Sequence, residues 1–190
     1  MFPISASHVC QLWRRASLAN PDLWTTIWIG NRWQEEYVAL FIQRSHFCPL
    51  SLKYSSNLPL ESLPDGNTIL LDIGCDCQWK EIHVHPSWDN LPKLLSKSSD
   101  TLETLVLTST WDSKAYILDL AFATHLTHLS IIRVKTSIIL YYDSFKLPCS
   151  GLTHLNLNAS VTPHDILSIL SECGNLEEFV LILAVPFTFN

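Results

Sequence analysis

The hexad apolar-x-x-apolar-x-apolar recurs seven times along the chain, and no other feature limits the fold as strongly. It appears as Trp24/Ile27/Ile29 in "WTTIWI", Phe47/Leu50/Leu52 in "FCPLSL" and Trp79/Ile82/Val84 in "WKEIHV". It continues as Leu102/Leu105/Leu107, Leu126/Leu129/Ile131, Leu152/Leu155/Leu157 and Leu176/Phe179/Leu181. Successive first positions lie 23, 32, 23, 24, 26 and 24 residues apart. Two copies, "LTHLSI" and "LTHLNL", are nearly one phrase written twice. The last three residues of each hexad alternate apolar and other, as a short strand with one buried face requires.

Between hexads the pattern turns helical. "RWQEEYVALFIQR" sets Trp33, Tyr37, Leu40 and Phe41 on one helical face. "VTPHDILSILSECGN" supplies Thr162 as N-cap, Pro163 at the first helical position, Asp165 at the positive helix end and Gly174 as the stop. "DNLPKLLSK" and "DSKAYILDLAFA" are weaker helical connectors. These units resemble leucine-rich repeats, whose period is roughly 20–29 residues. The resemblance implies an α/β fold, a curved solenoid with short parallel strands on the concave side and helices on the convex side. The repeats are degenerate, because Thr110, Val134, Ser160 and Ala184 stand where the family carries Asn or Cys. The long step from Phe47 to Trp79 is turn-rich at Pro59, Pro64 and Asp65-Gly66 and is read as an irregular repeat.

If the apolar hexad positions face the core, the intervening residues form rows across the concave face, with neighbouring strands about 4.8 Å apart. One row reads Glu81, Thr104, His128, His154, Glu178. The next reads His83, Val106, Ser130, Asn156, Val180, and the third His85, Thr108, Ile132, Asn158, Ile182. Hydrogen-bonding groups mixed with exposed Val and Ile suit a protein-binding surface. The polar members of these rows are the candidate partner-binding residues.

Composition excludes other classes. At 190 residues and 47% hydrophobic content the chain can bury a core. A net charge of −6, with no basic run beyond Arg14-Arg15, gives no footprint for nucleic acid or anionic membranes. The longest apolar run, "FVLILAVPF", is about half of what a spanning helix needs and contains Pro186. The chain opens without a charged, then apolar, leader, so its six cysteines are read as reduced thiols of an intracellular protein, cytoplasmic or nuclear. There is no G-x-S-x-G, phosphate-binding glycine loop or H-E-x-x-H, so neither an enzyme nor a cofactor is expected. Cys75, Cys77, His83 and His85 could each ligate zinc, but C-x-C followed by H-x-H lacks the finger spacing, and no metal site is assigned.

The segment "SHVCQLWRRASLANPDLWTTIWIG" resembles the second half of an F-box, through Val9-Cys10-x-x-Trp13 and then Asn20-Pro21-Asp22-Leu23-Trp24 leading into a strand. With the repeats and "RSHFCPLSL" at Arg44–Leu52, the chain is similar to fungal F-box/leucine-rich-repeat proteins. The resemblance implies residues 1–23 as a partial F-box and 24–190 as an array of about seven units. It implies a substrate-receptor-like adaptor of an SCF-type ubiquitin ligase, docking on the Skp-type linker subunit and holding a protein target on the repeats. Val9, Cys10, Trp13, Leu23 and Trp24 would belong to the docking module, some buried within it. The competing reading is that Val9, Trp13 and Trp24 cap the core of the first repeat, in an interaction scaffold without ligase docking. Only "MFPISAS" precedes His8, so the family's opening helix is expected to be missing. The expectation is a shortened gene product or one in which docking is lost. At the other end, "LEEFVLILAVPFTFN" stops just after a strand, and association through that apolar edge is expected.

Overall fold

A computed structural model describes residues 2–30, 35–54, 77–84, 91–98, 100–109, 118–120, 123–133, 145–158 and 163–182. The strands are β1 (Thr26–Ile29), β2 (Leu50–Tyr54), β3 (Trp79–Val84), β4 (Thr104–Ser109), β5 (Leu118–Asp119), β6 (His128–Arg133), β7 (Phe145–Lys146), β8 (His154–Asn158) and β9 (Glu178–Ile182). The helices are α1 (Phe2–Ser7), α2 (Gln11–Ala19), α3 (Glu35–Arg44), α4 (Leu91–Lys97) and α5 (Pro163–Glu172), with a 3-10 turn at Pro21–Trp24. Every hexad contributes one strand to a seven-stranded sheet in the order β1-β2-β3-β4-β6-β8-β9. All its pairings are parallel, so each strand lies beside those of the hexads before and after it. β5 and β7 form a separate two-stranded parallel ladder.

The hexad leucines build the core. Ile82, Leu102, Leu105, Leu126 and Leu152 have no measurable exposure, and Leu129 and Leu155 have 1%. Each side chain so buried is worth about 1.5–3 kcal/mol. Val38 and Phe41 of α3, Leu91, Leu94 and Leu95 of α4, and Ile169 of α5 join the same apolar cluster. Helices therefore cover one face of the sheet. A parallel sheet in an α/β protein ordinarily has both faces covered. Here, among the described residues, the opposite face carries the half-exposed intervening positions.

The phrase "LTHL" recurs because each of its letters has a structural task. Both leucines go to the core. The threonine hydroxyls tie one unit to the preceding one: Thr153 donates to the Thr127 carbonyl at 3.1 Å, and Thr127 to the Glu103 carbonyl at 3.1 Å. The backbone N–H groups of Thr127 and His128 both reach Glu103 O, and those of Thr153 and His154 both reach Thr127 O. Residues 110, 134, 160 and 184, where the family's amide ladder would run, lie outside the described residues.

Two local expectations are corrected. In the second hexad, Leu52 and not Leu50 stands beside Ile27 and Ile82, while Leu50 pairs with Trp79 across a register shift between Leu50 and Ser51. That strand spends one residue where its neighbour has two, so Leu50 takes the first core position. Phe47 is instead turned out, 93% exposed at a left-handed φ of 67°. The connector "DSKAYILDLAFA" contains strand β5 in place of a helix; 111–117 and 121–122 lie outside the described residues. Gly174 follows the end of α5 as expected, but its φ is not positive, so left-handed freedom is not what ends the helix. The turn is closed by Leu176 N–H to Cys173 O and by Asn175 Nδ2 to Ser150 O at 2.7 Å. Thr162 and Trp33 lie outside the described residues.

At the other end of the chain, α1 and α2 pack on one another, with Arg14 Nε donating to Ser7 O at 2.8 Å. Trp24 is fully buried: its Nε1 donates to Ser17 O at 2.7 Å, Phe41 meets its ring edge-to-face at 5.2 Å, and Arg44 lies 4.4 Å over it. No described helix is long and apolar enough to cross a membrane.

Candidate functional site

The strand register assembles the expected rows. Glu81, Thr104, His128, His154 and Glu178 are successive partners, and Ser51 and Thr26 extend their row to β1. His83, Val106, Ser130, Asn156 and Val180 form the second row, which Lys53 and Trp28 extend. In the third, Thr108 pairs with Ile132 and Asn158 with Ile182. His85 lies outside the described residues. Sequence reasoning began the rows at β3 and so missed Trp28, Ser51 and Lys53. The alternation in "TIWI" and "LSLKY" was enough to find all three; the shift in the second hexad changes only the rows that Ser51 and Lys53 join.

At the β2–β3 end the polar groups satisfy one another. Glu81 Oε1 lies 3.3 Å from Lys53 Nζ and 2.7 Å from His83 Nε2. Burial pushes the Glu81 carboxyl up, but the Ser51 hydrogen bond, the His83 charge and the hydrogen bonds of Lys53 and His83 together hold it below its ordinary 4.5. The Lys53 ammonium also lies 5.8 Å over the Trp28 ring.

At the β6–β8 end the polar tips are left to the outside. A groove of about 210 Å³ lies on this face, lined by Thr104, His128, Ser130, His154, Asn156 and Glu178, with Val106 and Val180 adding apolar walls. The His128 and His154 rings stack at 4.2 Å and 15°. Each is held from behind, Nδ1 of His128 at 2.8 Å from Thr127 Oγ1 and Nδ1 of His154 at 2.8 Å from Thr153 Oγ1. Each threonine has one hydroxyl proton, already given to a backbone carbonyl. Both contacts are met together when Nδ1–H donates to the threonine oxygen, which leaves Nε2 of the neutral ring an acceptor. Asn156 Oδ1 is buried and has no hydrogen-bond partner among the described residues. Glu178 lies 3.7 Å from His154 Nε2 and is exposed. The groove is therefore a stacked, backbone-anchored platform rich in acceptors.

The residues expected in docking separate. Val9 (66%), Trp13 (50%) and Leu23 (36%) are exposed, as is Cys10, whereas Trp24 belongs to the core. Val9 and Trp13 therefore do not cap the first unit; Trp24 does. Leu12 and Leu18 of α2, 73% and 40% exposed, join this apolar surface. β9 is the outermost strand at its end of the sheet, with Glu178 and Ile182 exposed and Phe179 and Leu181 half-buried. Among the described residues no three His, Cys, Asp or Glu side chains gather as metal ligands; Cys75 and His85 lie outside them.

Comparisons with protein-family models, with curated proteins and with solved structures each find no match.

Proposed function

We propose that this chain is a protein-binding adaptor built as a curved solenoid of degenerate leucine-rich repeats, residues 24–190, behind a partial F-box, residues 1–23. It holds a target protein on the sheet face opposite the described helices, as the substrate-receptor component of an SCF-type ubiquitin ligase. The observation that carries the binding role is the groove over β4–β9, where the side chains of His128, Ser130 and His154 line a concavity on this face. Val106 and Val180 beside it supply apolar contact, the mixture that interface centres use. The acceptors favour a target segment rich in N–H donors or cationic side chains.

Ligase docking is supported by the exposed apolar surface of Val9, Leu12, Trp13 and Leu23. Trp is enriched among the residues that dominate binding energy, so the half-exposed Trp13 is the anchor this surface offers. The test is calorimetry of the full chain with a purified Skp-type linker subunit. Saturable binding that Trp13→Ala weakens at least about tenfold, with the denaturation midpoint unchanged, is the expected result. Absence of binding to the intact chain would remove the ligase role and leave an interaction scaffold.

A further inference from the structure

The roles given above do not use the thiols of Cys149 and Cys173, although the repeat brings them together. The two stand 24 residues apart, and each precedes a hexad's first position, Leu152 or Leu176, by three residues. Stacking one unit on the next therefore superimposes them. The turn at Cys149 is held tightly: a Cβ on Gly151 would come within 2.6 Å of Thr124 O, so that backbone sits directly on the preceding unit. From the other side, Asn175 reaches back to Ser150 O at 2.7 Å and fixes the turn after α5. The two sulfurs are left 2.6 Å apart, with the Cys173 thiol donating to Cys149.

Their environments differ. Cys173 is 2% exposed, whereas Cys149 is half-buried and reaches solvent. Burial, with the neighbouring sulfur and Glu172 adding to it, pushes the Cys173 thiol up to about 12. Cys173 therefore stays protonated, and Cys149 is the sulfur that a dissolved oxidant meets.

We infer that Cys149 and Cys173 are a disulfide-forming pair that staples the last two repeat units together when the chain meets a hydroperoxide. Hydrogen peroxide takes two electrons from Cys149 sulfur, giving a sulfenic acid and one water. Cys173 sulfur then bonds to Cys149 sulfur; its proton and the sulfenic hydroxyl leave as a second water. The net change is two thiols and one peroxide to one disulfide and two waters. A dithiol reductant reverses it. The bond joins the turn that precedes β8 to the turn that precedes β9, and its formation does not depend on what the sheet face binds.

The test uses the full chain treated with hydrogen peroxide, alkylated and digested. A peptide linking Cys149 to Cys173 is expected, together with a thermal midpoint higher by roughly 5–10 °C than that of the reduced protein. Dithiothreitol should abolish both, and Cys173→Ser should show neither. The oxidised and reduced wild-type proteins give the comparison even if the variant does not fold. Sulfinic acid on Cys149 without the linked peptide, cross-links through other cysteines in its place, or a linked peptide with an unmoved midpoint would each overturn the inference.

Discussion

The two ends of the sheet face opposite the described helices share one alternation and use it differently. At β2–β3, Lys53, His83 and Ser51 converge on the Glu81 carboxylate, and the polar groups are consumed by one another. At β6–β8, His128 and His154 are fastened through Nδ1 to threonines behind them, while Asn156 Oδ1 is left without a partner. Alternation decides which side chains leave the core. Their availability to a partner depends on what the neighbouring strands place within reach.

The largest expected effect lies beneath both ends and should be the same at each. Ile82→Ala and Leu129→Ala remove equally buried side chains from one core and should each cost about 2–5 kcal/mol in urea denaturation. A markedly smaller cost at one end would mean that the ends do not share a framework.

A smaller effect should appear only at the β6–β8 end. Thr153→Val keeps the side-chain shape but removes the hydroxyl that joins Thr127 O and His154 Nδ1, costing about 0.5–1.5 kcal/mol. The same variant should loosen the imidazole stack, visible as changed His128 and His154 ring signals in NMR spectra. Unchanged ring signals would show that the threonine does not hold the ring.

Smaller still is the Glu81 contribution, an ion-pair network on a partly exposed surface and so worth under about 1 kcal/mol. Its sign follows from the carboxyl being held below its ordinary 4.5 in the folded chain. The stabilisation is present above that ordinary value and is lost as pH falls through the lower folded value. Glu81→Gln should be less stable than wild type at neutral pH, and the gap should close on acidification. A pH-independent gap would show that the network is not electrostatic.

Much of this was legible in the chain because the period of two is strict. Glu81, Thr104, His128, His154 and Glu178 could be aligned by counting from the leucines, and the register places them side by side. Counting failed where one residue was dropped, as between Leu50 and Ser51, because an apolar Phe47 at the nominal first position imitated an unshifted hexad. It also could not separate a saturated Glu81 from an Asn156 whose Oδ1 is unpartnered among the described residues. That difference depends on three-dimensional neighbours, Lys53 in one case and Ser130 and Val180 in the other. The threonine of "LTHL" was visible in the sequence, but its link to the carbonyl one unit earlier appears only once the units are stacked. The F-box resemblance marked Trp13 of α2 and Trp24 of the 3-10 turn alike; packing left one half-exposed and put the other against Phe41.

The central claim is that each repeat strand divides cleanly into framework and working residues. Strand β8 tests it within a single run of sequence, by urea denaturation of Leu155→Ala beside His154→Ala and Asn156→Ala. Leu155→Ala should lose about 2–5 kcal/mol. His154→Ala should stay within about 0.5 kcal/mol of wild type, and Asn156→Ala should be neutral or slightly stabilising because it removes an unpartnered buried oxygen. Equal destabilisation by all three changes would contradict the account, since it would make the face of His154 and Asn156 part of the core.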